Sequence, residues 1–364
     1  MKRTCLVLIL FVQVAWEQSL GDFFKETFEE RLRDDPEFAT TVGRHDYNDR
    51  WTDRSATGRT QRRAHLERRL EQLNGFPAAS LSGQDRLTVR LLQYDFRSQI
   101  EAFEVETHLV PAGLLEGFHN NVYRTIDRMP ARTVHDYENL LARLRAVPAY
   151  VDQNMEIQNE SIARGMTQPR VVVDLVADQF AAQIRQDGGN TPLLAAFRQF
   201  PSNFPQAEQT RLRAAAVEAY DQQFLPAWRK YQDYLKSKYA PKARPSDSVS
   251  SMTGGREAYA ILVRRFTTTN MTPQAIHKLG EEELARLETE MRTLLKQSGF
   301  TGSIVEFEKH IAASPAQHFQ TKDEMLAYCR NIAKIIEPEL PNLFRKIPIL
   351  LSGIRPIPPD REAK

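Results

Sequence analysis

Cysteine is close to absent. The 364 residues contain two, Cys5 near the start and Cys329 near the far end. If the N-terminus is removed, no structural disulfide forms and one free thiol remains; Cys329 then reads as a small buried helix residue. Charge of one sign is also lacking. Against 49 basic residues stand 47 acidic ones, a net charge of +2. No long-range field draws nucleic acid or an anionic membrane to this chain. No hydrophobic run reaches the ~20 residues that span a bilayer. Repeats of fixed period are absent, as are the common site signatures: G-x-S-x-G, the Walker loop, G-x-G-x-x-G, C-x-x-C and H-E-x-x-H.

What is present is ordinary for a soluble globular protein, 41% hydrophobic and 26% charged. The opening "MKRTCLVLILFVQVAWEQSLGDFF" has Lys2 and Arg3 ahead of a short apolar run from Cys5 to Trp16, then a polar exit. That order reads as a secretory signal peptide over residues 1–19. The expected location is therefore secreted or extracytoplasmic, with no membrane association beyond the signal segment. Asn159-Glu160-Ser161 and Asn270-Met271-Thr272 are N-glycosylation sequons, meaningful only in a eukaryotic secretory pathway.

The remainder reads as helix after helix. Phe24, Phe28 and Leu32 form one apolar stripe, ended by Pro36. Ser82 and Asp85 resemble a capping box ahead of Leu87, Leu91 and Tyr94. Thr133 and Asp136 open a helix with Tyr137, Leu140, Leu141 and Leu144 on its apolar face, and Pro148 is expected to open the next, to Gly165. Pro169 begins another, ending at Gly188-Gly189. A long pattern runs from Gln206 to Tyr239, where Pro226 should kink or split it. Thr272-Pro273 opens a helix to Gln297, with Gly299 beyond its end. Ser303 with Glu306 and Thr321 with Glu324 are further capping boxes. The expected fold is all-α, a multi-helix array of long antiparallel helices with a short extended or strand segment at the C-terminal end. The Pro-, Ser- and Gly-rich "APKARPSDSVSSMTGG" divides a helical region over 20–240 from a second over 256–364, with 241–255 as linker.

Candidate chemistry is sparse. His277 and Glu281 share a helix face at a spacing zinc can use, but a solvated face running into Glu282 and Glu283 is the stronger reading. His310 and His318 lack a third ligand. Arg59, Arg62, Arg63, Arg68 and Arg69 could meet phosphate; interleaved Glu67 and Glu71, with Leu66, Leu70 and Leu73, favour an amphipathic helix with a solvated charged face. Gly254-Gly255 ahead of a helix reads as a linker end before an anion cradle. Phe224, Trp228, Tyr231 and Tyr234 read as core. The residues alone assign no catalytic, cofactor-binding or metal-ligating position.

Four stretches in order carry a resemblance: "FFKETFEERLRDDPEFATTVGRHDYNDRWTD", "RMPARTVHDYENLLARLRAVPAYVDQ", "FTTTNMTPQAIHKLGEEELARLETEM" and "FRKIPILLSGIRPIPPDREA". Together they resemble the N-terminal half of the domain-of-unknown-function family 885. The resemblance implies a helical zinc-metallopeptidase-like protein whose long helices wall a deep cleft. In full-length relatives an H-E-x-x-P-G-H-H helix would follow, bringing zinc and a peptide-like substrate. This chain reaches Lys364 before any such motif, so no family catalytic residue is carried over and no cofactor is expected in the chain itself. It is expected to be the cleft-walling part of a secreted hydrolase, inactive alone. The second reading is a complete helical binding or regulatory module, a pseudoenzyme. On the first reading the apolar "IPILLSGIRPIPP" tail is an unfinished element that wants a partner.

The signal reading has a direct check. Protein recovered from the medium or periplasm should lack residues up to about Ser19, as intact mass will show; an intact Met1 on the mature chain overturns the reading.

Overall fold

The computed structural model describes residues 19–77, 79, 81–109, 113–184, 190–347, 349 and 353–356. Every regular element among them is helical, and extended pairing is confined to one parallel bridge between Pro169 and Arg244. The all-α expectation is met. The chain divides into two units between Thr272 and Pro273.

The first unit holds α1 (Leu20–Asp34), α2 (Pro36–Thr41), α3 (Ala56–Asn74), α4 (Gly83–Glu104), α5 (Phe118–Arg128), α6 (Val134–Arg164), α7 (Arg170–Ile184), α8 (Ala195–Arg198), α9 (Gln206–Ala219), α10 (Leu225–Tyr234) and α11 (Gly255–Thr267). Several begin where the capping chemistry points. The Asp136 amide donates to Thr133 Oγ1 at 3.2 Å, and the Thr133 amide donates back to the Asp136 carboxylate at 2.9 Å. Asp35 ends α1 and starts α2, accepting from the Phe38 amide at 3.0 Å. Pro36 therefore opens a helix as well as closing one.

α6 is the spine. It runs unbroken through Pro148 to Gly165, which takes the left-handed conformation at φ 67°. The expected break at Pro148 does not occur. Interior proline costs a helix about 3 kcal/mol, but Val147, Tyr150, Val151, Asn154, Ile157, Gln158 and Ser161 are all buried around and beyond it. Burying several apolar side chains at roughly 1.5–3 kcal/mol each outweighs that cost.

Pro226 does not split its helix either. A π-turn, Tyr220–Phe224, joins α9 to α10, and the Leu225 amide donates five residues back to Tyr220. A second π-turn, Leu235–Tyr239, follows, with the Ala240 amide reaching Leu235. Leu225 and Ala240 each stand immediately before a proline, Pro226 and Pro241. The wider turn sits where proline would otherwise crowd the preceding carbonyl. Along this face Tyr220, Phe224 and Trp228 stack at one-turn spacing, with centroids 5.2 and 4.2 Å apart, in the main core against α5, α6 and α7.

The 241–255 stretch is part of the first unit, not a free linker. The Arg170 amide donates to Arg244 O at 2.8 Å and the Arg244 amide to Gln168 O at 3.1 Å. Met252 packs with Leu109, Ile157 and Met166. Gly255 lies so close to this loop that a Cβ would fall 1.9 Å from Val249 O, so the glycine is needed for packing.

The second unit holds α12 (Pro273–Gln297), α13 (Ile304–Ala313), α14 (Lys322–Ile336) and α15 (Leu340–Leu343). Ser303 and Glu306 form the expected capping box. None of this unit's described residues is buried. Leu284, Leu287, Met291 and Leu294 on α12 and Tyr328, Ile332 and Ile335 on α14 are exposed. Cys329 is half-buried, short of the buried position expected; its helix has no buried face. Of the tail, Pro348, Leu350 and Leu351 lie outside the described residues, while Ile347 and Ile349 are exposed and the Ile354 carbonyl accepts from Arg330 Nε at 3.1 Å. Gly188 and Gly189 also lie outside the described residues.

One side chain ties the early segments to the spine. Arg143 on α6 is wholly buried. Its guanidinium donates to Arg50 O (2.9 Å), Thr40 Oγ1 (2.8 Å), Pro36 O (3.1 Å) and Tyr47 O (3.2 Å). Trp51 covers it at 5.2 Å and returns an Nε1–H bond to Arg143 O at 2.9 Å. Arg143→Leu should lower the unfolding free energy by about 3–5 kcal/mol, since it removes four hydrogen bonds at once, two of them to the buried Thr40 hydroxyl and Pro36 carbonyl. Denaturant titration followed by tryptophan fluorescence checks this; a loss under about 1 kcal/mol contradicts it.

Candidate functional site

The first unit contains a cleft of two joined compartments. The apolar one, about 460 Å³, lies between α1, α3 and α4, and Phe24, Phe28, Leu66, Leu92, Phe96 and Phe103 supply its walls. The polar one, about 620 Å³, is bounded by Glu37, Thr52, Arg54, Glu116, Arg124, Arg128 and Tyr150. Asp34, Asp35, Arg62 and Gln99 border both. Each compartment is in the size range of small-ligand sites.

Helical spacing explains the walls. Phe24 and Phe28 are one turn apart on α1, as are Arg62 and Leu66 on α3. The Asp34-Asp35-Pro36 break turns the chain into α2 and sets two carboxylates where the compartments meet. The polar wall continues through the segment that Arg143 pins. Glu37 accepts from the Thr52 amide at 3.0 Å and the Thr52 hydroxyl at 2.5 Å.

The acids of the polar compartment are already engaged. Asp34 Oδ2 lies 2.6 Å from His65 Nδ1, Asp35 caps α2, Glu37 holds Thr52, and Glu116 meets Arg124 at 3.1 Å. The arginines are less matched. Arg62 donates to Asp53 O and Arg128 to Thr41 Oγ1 at 3.0 Å. The Arg54 guanidinium lies 5.9 Å from the Tyr150 ring centre. Among the described residues none of these three forms an ion pair with a carboxylate. Partial burial pulls the Arg62 guanidinium below its ordinary range, opposed by Asp34. Burial holds the Tyr150 phenol well above its own. In the apolar compartment the Thr27 hydroxyl is buried without a partner.

Of the residues singled out from sequence for chemistry, Arg62 and Arg69 border the cleft and the others do not. His277 and Glu281 form an exposed pair on α12 at 3.4 Å. His318 contacts Ala312 O at 2.6 Å and His310 packs beside the Phe300 ring. Gly254 takes φ 65° ahead of α11, and the Gly255 amide is spent on Met252 O. Phe224, Trp228, Tyr231 and Tyr234 are core, as expected. On α3 the charged face is only partly solvated: Arg69 is buried against Glu30 at 2.9 Å, and Arg59 reaches Glu160 at 2.6 Å. Among the described residues no cluster of three His, Cys, Asp or Glu could hold a metal. The described residues do not fit zinc. Sequence reasoning missed Asp34, Arg54, Gln99 and Arg128, and set Arg62 aside as part of a solvated face. The one signal was the Asp-Asp-Pro break inside the first matched stretch.

His108 lies with its ring 5.7 Å from Phe103, a residue of the apolar wall. Burial, with nearby Arg59, depresses it from 6.5 to about 4. The folded state therefore holds this imidazole neutral, while the unfolded chain takes up a proton as pH falls through 6.5. Stability should fall from about pH 6.5 to pH 4, and buried His119 acts in the same direction. Urea midpoints should drop less steeply over that window in His108→Phe than in the parent; parallel curves would show that His108 contributes nothing.

Among the described residues no helix is long and apolar enough to cross a membrane. The fold is similar to that of a solved protein from Colwellia psychrerythraea described as a lipoprotein, at TM-score 0.81 and 14% identity, covering 91% of this chain and 60% of that one. A second, from Shewanella oneidensis and described as a lipoprotein of unknown function, aligns at TM-score 0.62 and 16% identity, covering 91% and 59%. The chain thus spans about 60% of the length of these solved relatives. No curated protein matches it. The profile described as bacterial protein of unknown function DUF885 matches residues 36–364, and the chain belongs to that family.

Proposed function

We propose that this chain is the helical, cleft-walling part of a longer extracytoplasmic hydrolase of the zinc-peptidase kind, and that it is inactive by itself. The observation that carries the reading is the second unit. Its helices α13 and α14 are capped and amphipathic, yet none of the unit's described residues is buried. Apolar stripes of this extent are ordinarily covered by further protein. The similarity to 60% of a longer solved chain supports the same view. The extracytoplasmic location rests on the N-terminal segment and on the solved relatives' description as lipoproteins. The cleft would receive a peptide-like substrate, and the zinc site would belong to the rest of the protein. The alternative, a complete helical binding module, draws on the well-packed first unit and its cleft.

Transcript sequence beyond codon 364 is the first test. An in-frame H-E-x-x-P-G-H-H is expected, and the extended protein should carry zinc and cleave peptides in a chelator-sensitive way, while the 364-residue chain does neither. A verified stop after Lys364, with a stable chain that binds peptide, replaces this reading with the binding module.

A further inference from the structure

The two compartments differ in kind, and residues that border both link them. One is walled by phenylalanine and leucine. The other carries three arginines that form no ion pair with a carboxylate of the described residues, although Asp34, Asp35 and Asp53 act on Arg62 from further off. We propose that the cleft binds an amphipathic anion, the carboxylate of a peptide, at Arg62 with Arg54 and Arg128, and the neighbouring large apolar side chain between Phe24 and Phe28. The proposal deepens the peptide-substrate reading above and rests on it for the peptide; the charge argument stands without it.

Charge complementarity selects an anion over a cation. Asp34 is bonded to His65 and Glu116 is paired with Arg124, while Asp35 and Glu37 accept only from the Phe38 amide and Thr52; among the described residues bordering this compartment, three arginines against two carboxylates form no ion pair, an excess of positive charge. An incoming carboxylate meets donors that are short of acceptors: Arg62 spends one bond on a backbone carbonyl and Arg128 one on a hydroxyl. Guanidinium offers five N–H groups in a fork that fits carboxylate two bonds at a time. Arg62 is the pivotal member because it borders both compartments, so a carboxylate there leaves the adjoining side chain at the apolar wall.

The carboxylate could come from the C-terminus of a peptide or from an acidic side chain. Three probes separate these: acetyl-Leu-Phe-Gly as the free acid, the same peptide as its amide, and acetyl-Leu-Phe-Asp-amide. Titration calorimetry with the purified 364-residue chain should show the free acid binding at least about tenfold tighter than the amide. The Asp peptide binding like the acid means that either source serves; binding like the amide restricts the site to C-termini. R62Q, its folding verified by thermal melting, should reduce the acid to the affinity of the amide, and R128Q should do so in part. Equal binding of acid and amide, an acid preference that survives R62Q, or no binding of any probe overturns the proposal. The two readings fail separately. An acid preference in this chain with no peptidase activity in the extended protein sinks only the hydrolase. Peptidase activity that ignores the C-terminal charge, alongside equal binding, sinks only the anion site.

Discussion

A buried guanidinium that forms no ion pair among the described residues ties the early segments of the first unit to its spine. Removing Arg143 from water is costly, and burial depresses it to about 10. The charge is tolerated because the chain between Pro36 and Trp51 folds around it and offers backbone oxygens. The dependence is mutual. The loop from Thr41 to Trp51 has little regular structure, and its carbonyls need donors. Arg143 supplies several from one rigid fork, which lysine could not do with the same geometry. Because Glu37 and Thr52 flank this segment, the polar wall of the cleft is held in place by a residue on a different helix.

Local features were legible in the sequence where one or two residues decide them. The capping pairs at Thr133 and Ser303, the end at Gly165 and the span Pro273–Gln297 follow from short-range chemistry. What failed was punctuation. Pro148 reads as a helix start, Pro226 as a kink and 241–255 as a linker, since each motif usually has that meaning. Here long-range burial or a π-turn overrides it. The cleft could not be read for a related reason. "LLARLRAV" presents Arg143 and Arg145 as equals, yet one is buried and the other exposed. Nothing local distinguishes a charge that tertiary contacts will enclose from one left in water. Asp34, Arg62, Gln99 and Arg128 meet only through the packing of α1, α3, α4 and α5.

The second unit shows how far local signals can be satisfied without a core. Its helices have caps, i to i+4 ion pairs such as Arg286 with Glu290 at 2.7 Å, and clear apolar stripes. Such surface pairs add only about 0.3–0.5 kcal/mol each. Helices of this length are marginal in water unless an amphipathic face is covered. Typical protein stability is about 5–15 kcal/mol, so several exposed leucine and isoleucine side chains represent a deficit on that same scale. The amphipathic pattern specifies a buried face, and the second unit by itself leaves that face open.

The near-zero net charge hides a local asymmetry, and α3 shows how it arises. Arg59, Arg63, Arg68 and Arg69 are answered by Glu160, Glu67 and Glu30, acids on α6, α3 itself and α1. Arg62 shares the helix and the composition but faces the cleft between Asp34, already held by His65, and Asp53, which offers it a carbonyl. A composition near balance excludes a field that acts across many ångströms of salt water, since screening removes such fields beyond about 8 Å at physiological ionic strength. It does not exclude an unmatched cation inside a half-enclosed cavity, where screening is weak and each hydrogen bond to the charge counts for more. The polar compartment is bordered by four arginines and four acids, so what sets Arg54, Arg62 and Arg128 apart is that the helices leave them without an ion pair among the described residues, and their charge acts only on a ligand that has entered the cleft.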